Sequence, residues 1–291
     1  MPRHDDPNLY RRRLRDALRK AREAQQLTQK QAADELDWSM SKLVRIEAGT
    51  VNVSTTDLKA LLQLYAVTDS AQVGNLLEIA RNTRRLPWYS KYQDVIGAPF
   101  AEFLGYERSA STIKAFTQLI IPGLIQTDDY ARAILEARRV SRIDERVDLR
   151  MERQELLDQE DCPEISFVID EAALHRRVGG PAVMRRQLRR LRQVMDYPKI
   201  SIGIIPFSAG AHQSMSNSFT VLEFADWDED VLYQETAQGS VTTREDQDQV
   251  AEHIERFDLL RSMSVDGQGA VDLTDRLIDD LKNADQTHEQ E

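Results

Sequence analysis

The stretch TQKQAADELDWSMSKLVRIEAG, residues 28–49, constrains this chain more tightly than any other. Thr28 with Gln31 three positions on has the form of a capping box, in which each side chain satisfies the other residue's exposed amide. Ser39 is placed to cap a second short helix, and Gly49 follows that helix, where a left-handed residue ends it without strain. The two helices must approach closely, which needs a small residue on the first; Ala33 supplies it, with Ala32 beside it. Apolar side chains must pin the second helix from behind, and Leu36, Leu43 and Ile46 do so, the last two at i, i+3. Met40, Ser41, Val44 and Arg45 then point outward. The turn holds Asp37, a residue that tolerates the left-handed region better than most.

Helical spacing continues on both sides. Residues 8–25 carry Leu14, Ala17, Leu18, Ala21 and Arg22. Residues 56–65 set Leu58, Leu61, Leu62 and Tyr65 on one face, and a fifth helix begins near Asp69 and runs through Leu76, Leu77 and Ile79. Short breaks between five helices predict an all-α domain. RNTRRLPWYSKYQDVIGAPF, residues 81–100, then interrupts the pattern with two prolines and a glycine. The expected organisation is a helical domain over 1–82, a linker over 83–99, a second domain over 100–283 and a polar tail over 284–291.

In the second domain, residues 100–115 and 127–140 read as helices separated by the apolar LIIPGLIQT, and the highly charged 144–160 reads as a solvated helix. EISFVID and KISIGIIPF are β-branched and apolar, with the amphipathic PAVMRRQLRRLRQVMDY between them, which predicts a βαβ unit with parallel strands. NSFTVLEFA and DVLYQE alternate like an antiparallel meander on the same sheet. Helices near 244–263 and 271–282 close an α+β domain with a small mixed sheet, and the tail is expected to fray.

A length of 291 residues suits two ordinary domains, and 41% hydrophobic residues suffice for real cores. No run of about 18 apolar residues is present, which argues against a membrane span. The N-terminal MPRHDDPNLYRRRLRD lacks the apolar core of a signal peptide, so a cytoplasmic, nucleoid-associated location is expected. A lone cysteine, Cys162, allows neither an intramolecular disulfide nor a thiolate metal cage. The net charge of −11 is unevenly spread. Residues 1–85 carry 15 Lys+Arg against 11 Asp+Glu, whereas the rest carries 23 against 38. A basic head on an acidic body suits a nucleic-acid-binding domain joined to one that does not bind nucleic acid.

RxxxxxLTQxxxA (Arg22 to Ala33) followed by SxSKLxRIExG (Ser39 to Gly49) resembles the repressor/Cro-type, or xenobiotic-response-element, helix-turn-helix family. The resemblance implies double-stranded DNA as partner, with the second helix in the major groove. It places Met40, Ser41 and Arg45 toward bases, and Thr28, Gln29, Ser39 and Lys42 at the phosphate backbone. It makes Arg22 and Glu47 a structural ion pair. Physical chemistry supports these roles: Arg45 can grip guanine O6 and N7 bidentately, Ser41 can pair with several bases, and Met40 can pack on a thymine methyl. Gln29 lies in a first helical turn, where backbone amides favour an anion. Taken singly, an exposed arginine is usually a solvated charge; it is the combination with helix spacing, Ala33, Glu47, Gly49 and local positive charge that points to DNA.

QLIIPGLIQTDDYARAIL, FVIDEAALHRRVGGPAVMRRQLRRL and IIPFSAGAH resemble a domain of uncharacterised function that follows such heads in actinobacterial regulators. That resemblance implies transcription control linked to development or secondary metabolism, and a small partner protein encoded nearby. An antitoxin-like protein that neutralises a neighbouring gene product and regulates its own operon is the alternative. Homodimerisation is expected, because one recognition helix covers only a few base pairs. Catalysis is not expected. Asp170, Glu171 and His175 lie close in sequence and His212 follows a strand, but no H-x-x-x-H pair, G-x-S-x-G elbow or phosphate loop accompanies them. GGP, residues 179–181, is too short for a nucleotide fingerprint, so no metal, cofactor or catalytic residue is expected. The basic RRQLRRLRQ has Met184, Leu188, Leu191 and Met195 along one side and reads as a sheet-covering helix. IIPGLIQT and SAGAHQSMSNS are the better candidates for a recognition surface on the body.

Overall fold

A computed structural model describes residues 6–225, 229–236, 239–244 and 246–288. The chain divides into two units, Met1–Ser90 and Lys91–Glu291.

The described part of the first unit contains five α-helices: α1 Pro7–Ala24, α2 Gln29–Glu35, α3 Met40–Glu47, α4 Thr55–Leu64 and α5 Ser70–Asn82. Each starts on a side chain that accepts a hydrogen bond from an exposed first-turn amide: Asp6, Thr28, Ser39, Ser54 and Asp69. Such a cap stabilises by about 1 kcal/mol, which matters for helices as short as α2 and α3. Leu18, Leu43, Leu58 and Leu61 are wholly buried, and Ala32 and Ala33 bring α2 close against α3.

The second unit is α+β. In chain order its elements are α6 Ala98–Ser109, β1 Thr112–Thr117, α7 Asp128–Ala137, α8 Ile143–Gln154, β2 Glu164–Asp170, α9 Glu171–His175, α10 Pro181–Val194 and β3 Ile200–Ile205. Then follow β4 Phe219–Glu223, β5 Val231–Thr236, β6 Gly239–Thr243, α11 Gln247–Met263 and α12 Gly267–His288. The strands form one mixed sheet in the order β3-β2-β1-β4-β5-β6. β1, β2 and β3 run parallel, and β4, β5 and β6 continue as an antiparallel meander from β1. The expected βαβ unit is therefore β2–α10–β3, with the short α9 inserted.

Strand register fixes two faces. Phe116, Val168, Ile205, Phe219, Val221 and Leu232 pack against Val250, Phe257 and Leu260 of α11. Ile113, Ala115, Phe167 and Tyr233 belong to the opposite face, which looks toward α6, α7 and α8.

Three expectations for this unit are corrected. Residues 112–115 are not the end of a helix but the start of β1, the strand joining the parallel and antiparallel halves. The helix before it stops at Ser109, where Ala110 turns extended, and Lys114 pairs across the sheet with Glu223 at 2.8 Å. The charged stretch 144–160 is not a solvated helix. Val147 and Leu149 of α8 are buried, and Arg153 is turned inward to Glu107, with both its hydrogen bonds at 2.6 Å. Finally, α12 runs to His288, so the stretch expected to fray continues as helix; residues 289–291 of the expected tail lie outside the described residues. No helix among the described residues is long and apolar enough to cross a membrane.

Candidate nucleic-acid interface

The geometry of α2 and α3 follows from local chemistry. Thr28 Oγ1 accepts from Gln31 N at 3.2 Å while Gln31 Oε1 accepts from Thr28 N at 2.9 Å, closing the capping box. Asp37 takes the left-handed conformation, φ 53°, and the next amide, Trp38 N, donates back to Ala33 O at 2.9 Å. This reverses the chain directly into Ser39, whose Oγ accepts from Lys42 N at 3.3 Å. α3 ends in a Schellman motif: Gly49 N donates to Ile46 O at 3.0 Å and Thr50 N to Arg45 O at 3.1 Å. Gly49 sits at φ 68°, and a Cβ there would meet Arg11 O at an unstrained 3.9 Å, so its role is conformational and not steric.

Behind the helix lies a polar cluster. Arg22 Nε donates to both Glu47 oxygens, at 2.8 and 3.1 Å, and Arg22 Nη1 donates to Leu27 O at 2.7 Å. Gln29 Nε2 donates to Glu47 Oε2 at 2.9 Å, and Tyr65 Oη to Glu47 Oε1 at 3.1 Å. One buried carboxylate thus gathers side chains from α1, α2 and the end of α4. Burial, together with the adjacent Glu47 charge, pushes the Tyr65 phenol well above its ordinary value, which keeps it a donor. Tyr65 and Gln29 were not legible as members of this cluster. The signal for Tyr65 is that a tyrosine on a core face needs a partner for its hydroxyl.

Lys42 is also held. Its Nζ lies 2.7 Å from Asp57 Oδ1 in the first turn of α4 and 3.7 Å from the centroid of the Trp38 ring. The Lys42 hydrogen bond draws the Asp57 carboxyl below the usual carboxylate range. The outward face is different. Met40 and Val44 are 48% and 37% exposed, and Ser41 and Arg45 are exposed beside them. Arg45 Nε donates only to Ser41 O of its own helix, at 3.2 Å, and no acidic partner engages it among the described residues. Thr28 and Ser39 are exposed at the N-terminal ends of α2 and α3, where unpaired amides favour phosphate oxygens.

The acidic and histidine residues of the body meet near the ends of β2 and β3. Glu171 Oε1 lies 3.0 Å from His175 Nε2, and Glu171 Oε2 accepts from Phe207 N at 2.6 Å. Asp170 caps α9 through Ala172 N at 2.9 Å and lies 3.2 Å from His212 Nε2. His212 Nδ1 accepts from Ser214 N at 3.3 Å, which fits the tautomer protonated on Nε2. No group of three or more metal-ligating side chains occurs among the described residues. IIPGLIQT and the end of SAGAHQSMSNS meet at a cavity beside β1 and β4.

No curated protein and no solved structure matches the chain. A family described as a helix-turn-helix domain matches residues 13–76, which contain α2, α3 and the cluster behind them. A second family matches residues 100–276, well over half of the chain and nearly all of the sheet-bearing unit. The chain is a DNA-binding regulator by its helix-turn-helix head, and it belongs to the family described as Domain of unknown function (DUF5753).

Proposed function

We propose that the protein is a sequence-specific transcriptional regulator that binds DNA as a homodimer through α3. The observation that carries this reading is the division of labour on α3. Leu43, Ile46 and Glu47 face inward and Lys42 is tied to Asp57, while Met40, Ser41 and Arg45 stand exposed, with no carboxylate paired to Arg45 among the described residues. Only Arg45 of these three offers a strong directional base contact, so a single head binds modestly. Two heads spaced for half-sites about 34 Å apart, or a multiple of that, supply the rest. Thr28, Gln29, Ser39 and Lys42 hold the backbone, Gln29 through its first-turn amide because its side chain is engaged by Glu47, and Lys42 after exchanging Asp57 for a phosphate.

The second unit serves dimerisation and response to a partner protein or ligand, in the developmental or secondary-metabolic setting that the resemblance of its motifs implies. This reading assigns it no catalytic step. Glu171 and Asp170 spend their oxygens on Phe207 N, Ala172 N and two histidines, a pattern that ties the 207–214 segment to β2 and α9.

Selection of bound fragments from a random DNA pool, followed by anisotropy on the selected site, tests the reading. Arg45→Ala is expected to weaken the selected site by about 1–3 kcal/mol and relax preference at one base position. Equal losses on selected and random DNA would assign Arg45 to a phosphate instead; failure to select any sequence would remove sequence-specific binding.

A further inference from the structure

Between the sheet and helices α6, α7 and α8 lies a cavity of about 400 Å³, inside the range of small-molecule sites. Ile113, Ala115 and Phe167 of the central strands line it, and beside them Phe103 stacks on Tyr233 with centroids 4.1 Å apart. Two segments close the rim: 118–124, leaving β1, and 216–218, entering β4. Gly123 allows the first of them to lie against Arg153, since a Cβ there would stand 3.0 Å from Nη1. Leu119 on the rim is 52% exposed, and Met215, just before the second segment, is 59% exposed. The entrance is mixed, with Leu119 and Ile120 on one side and Ser216, Asn217 and Ser218 on the other.

The charges inside do not balance. Three arginines, Arg138, Arg150 and Arg153, line the cavity against two glutamates, Glu107 and Glu235. Arg153 is matched bidentately by Glu107, and Arg138 reaches Glu235 at 3.4 Å. Among the described residues no carboxylate pairs with Arg150: its guanidinium donates only to Gln126 Oε1, at 2.6 Å, and Glu235 acts on it as a charge without an ion pair. Burial, and then the Arg153 charge, push Arg150 down to about 10, which marks a cation short of compensation. Thr117 Oγ1, on the same lining, is buried with no hydrogen-bond partner among the described residues. A buried hydroxyl left unpaired is costly, and with an unpaired cation lining the same aromatic chamber it calls for an acceptor that the described residues do not provide.

We propose that this cavity binds an amphipathic monoanion, an alkyl or aryl carboxylate whose head pairs with Arg150 and whose apolar body lies along Phe103, Phe167 and Tyr233. A single unmatched positive charge suits a carboxylate better than the dianion of a phosphate monoester. The proposal deepens the responsive role given to the second unit and rests on that role only for an effect on DNA.

Isothermal titration of the full chain with decanoate and with decanol tests the site. One decanoate is expected to bind per chain, about tenfold or more tightly than decanol, because only the acid makes a charge-assisted hydrogen bond. Arg150→Met is expected to bring decanoate down to the affinity of decanol while decanol binding stays unchanged, which also reports an intact cavity. Equal affinity of the unaltered protein for the two compounds, or binding of neither, overturns the proposal without reference to any variant. Anisotropy of the selected DNA with and without decanoate separates the two readings. Decanoate binding with unchanged DNA affinity upholds the site and removes the responsive role. DNA binding intact with no decanoate binding removes the site and leaves the regulator standing.

Discussion

Glu47→Gln is the sharpest perturbation of the head, because it removes one charge and almost no volume. Glu47 and Arg22 are 5% and 8% exposed, so the substitution strands a guanidinium with little water to replace its partner. Removing one member of a buried pair costs about 3–5 kcal/mol. The glutamine carbonyl can still accept one of the bonds that Arg22 now makes at 2.8 and 3.1 Å, which puts the loss at the low end, about 3 kcal/mol. At 1.4 kcal/mol per decade this is roughly a 100-fold rise in global opening of the head. Hydrogen exchange read by mass spectrometry suits the question, since peptides from α1, α3 and α4 report the head separately from the body. Acceleration of the slowest amides there by less than about tenfold would refute the reasoning, because it would mean that Arg22 is rehydrated at little cost. Replacing the pair by Arg22→Met with Glu47→Leu is expected to recover most of the loss. The Tyr65 hydroxyl would then lack its acceptor at a cost of about 1–3 kcal/mol, and adding Tyr65→Phe removes that residue of the deficit.

Two further outcomes follow from the same helices. Gly49→Ala is expected to destabilise the head by about 1–2 kcal/mol, read as a lower urea midpoint, because φ 68° disfavours any side chain even where it meets no clash; an unchanged midpoint would show that the Schellman turn can rearrange freely. The Lys42–Asp57 pair contributes about 0.2–1 kcal/mol at neutral pH. Since Lys42 lowers the folded-state value of Asp57, this stability is present above the unfolded carboxyl value near 3.9 and is lost as pH falls through the lower folded value. The gap in stability between the unaltered protein and Asp57→Asn is therefore expected to close below about pH 4, and a gap independent of pH would show that the Asp57 charge is not its source.

The head was legible because its instructions are local. Caps at Thr28 and Ser39, small residues at Ala32 and Ala33, and a left-handed Gly49 act within a few residues of where they stand. The body was less so because its decisive partners are remote. Lys114 interrupts the apolar pattern of β1, and the partner that explains it, Glu223, lies across the sheet on β4. Arg153 looks like solvated charge until Glu107 of α6 is seen to meet it from 46 residues away. Periodicity assumes that charge faces water, and it fails where a distant carboxylate makes the interior acceptable. The apolar IIPGLIQT was conspicuous in the sequence, but the cavity it rims depends on strand register that no local pattern encodes.

α3 has eight residues, and the side chains that hold it in place are not the ones it presents. Leu43, Ile46 and Glu47 anchor it, Lys42 braces it, and Met40, Ser41, Val44 and Arg45 are exposed. Holding and reading are therefore nearly orthogonal variables. Those four positions can be rewritten together with little loss of stability, so duplicated copies of such a head could diverge to new operators while the mount stays fixed. A library randomised there would sample binding specificity in a population that still folds.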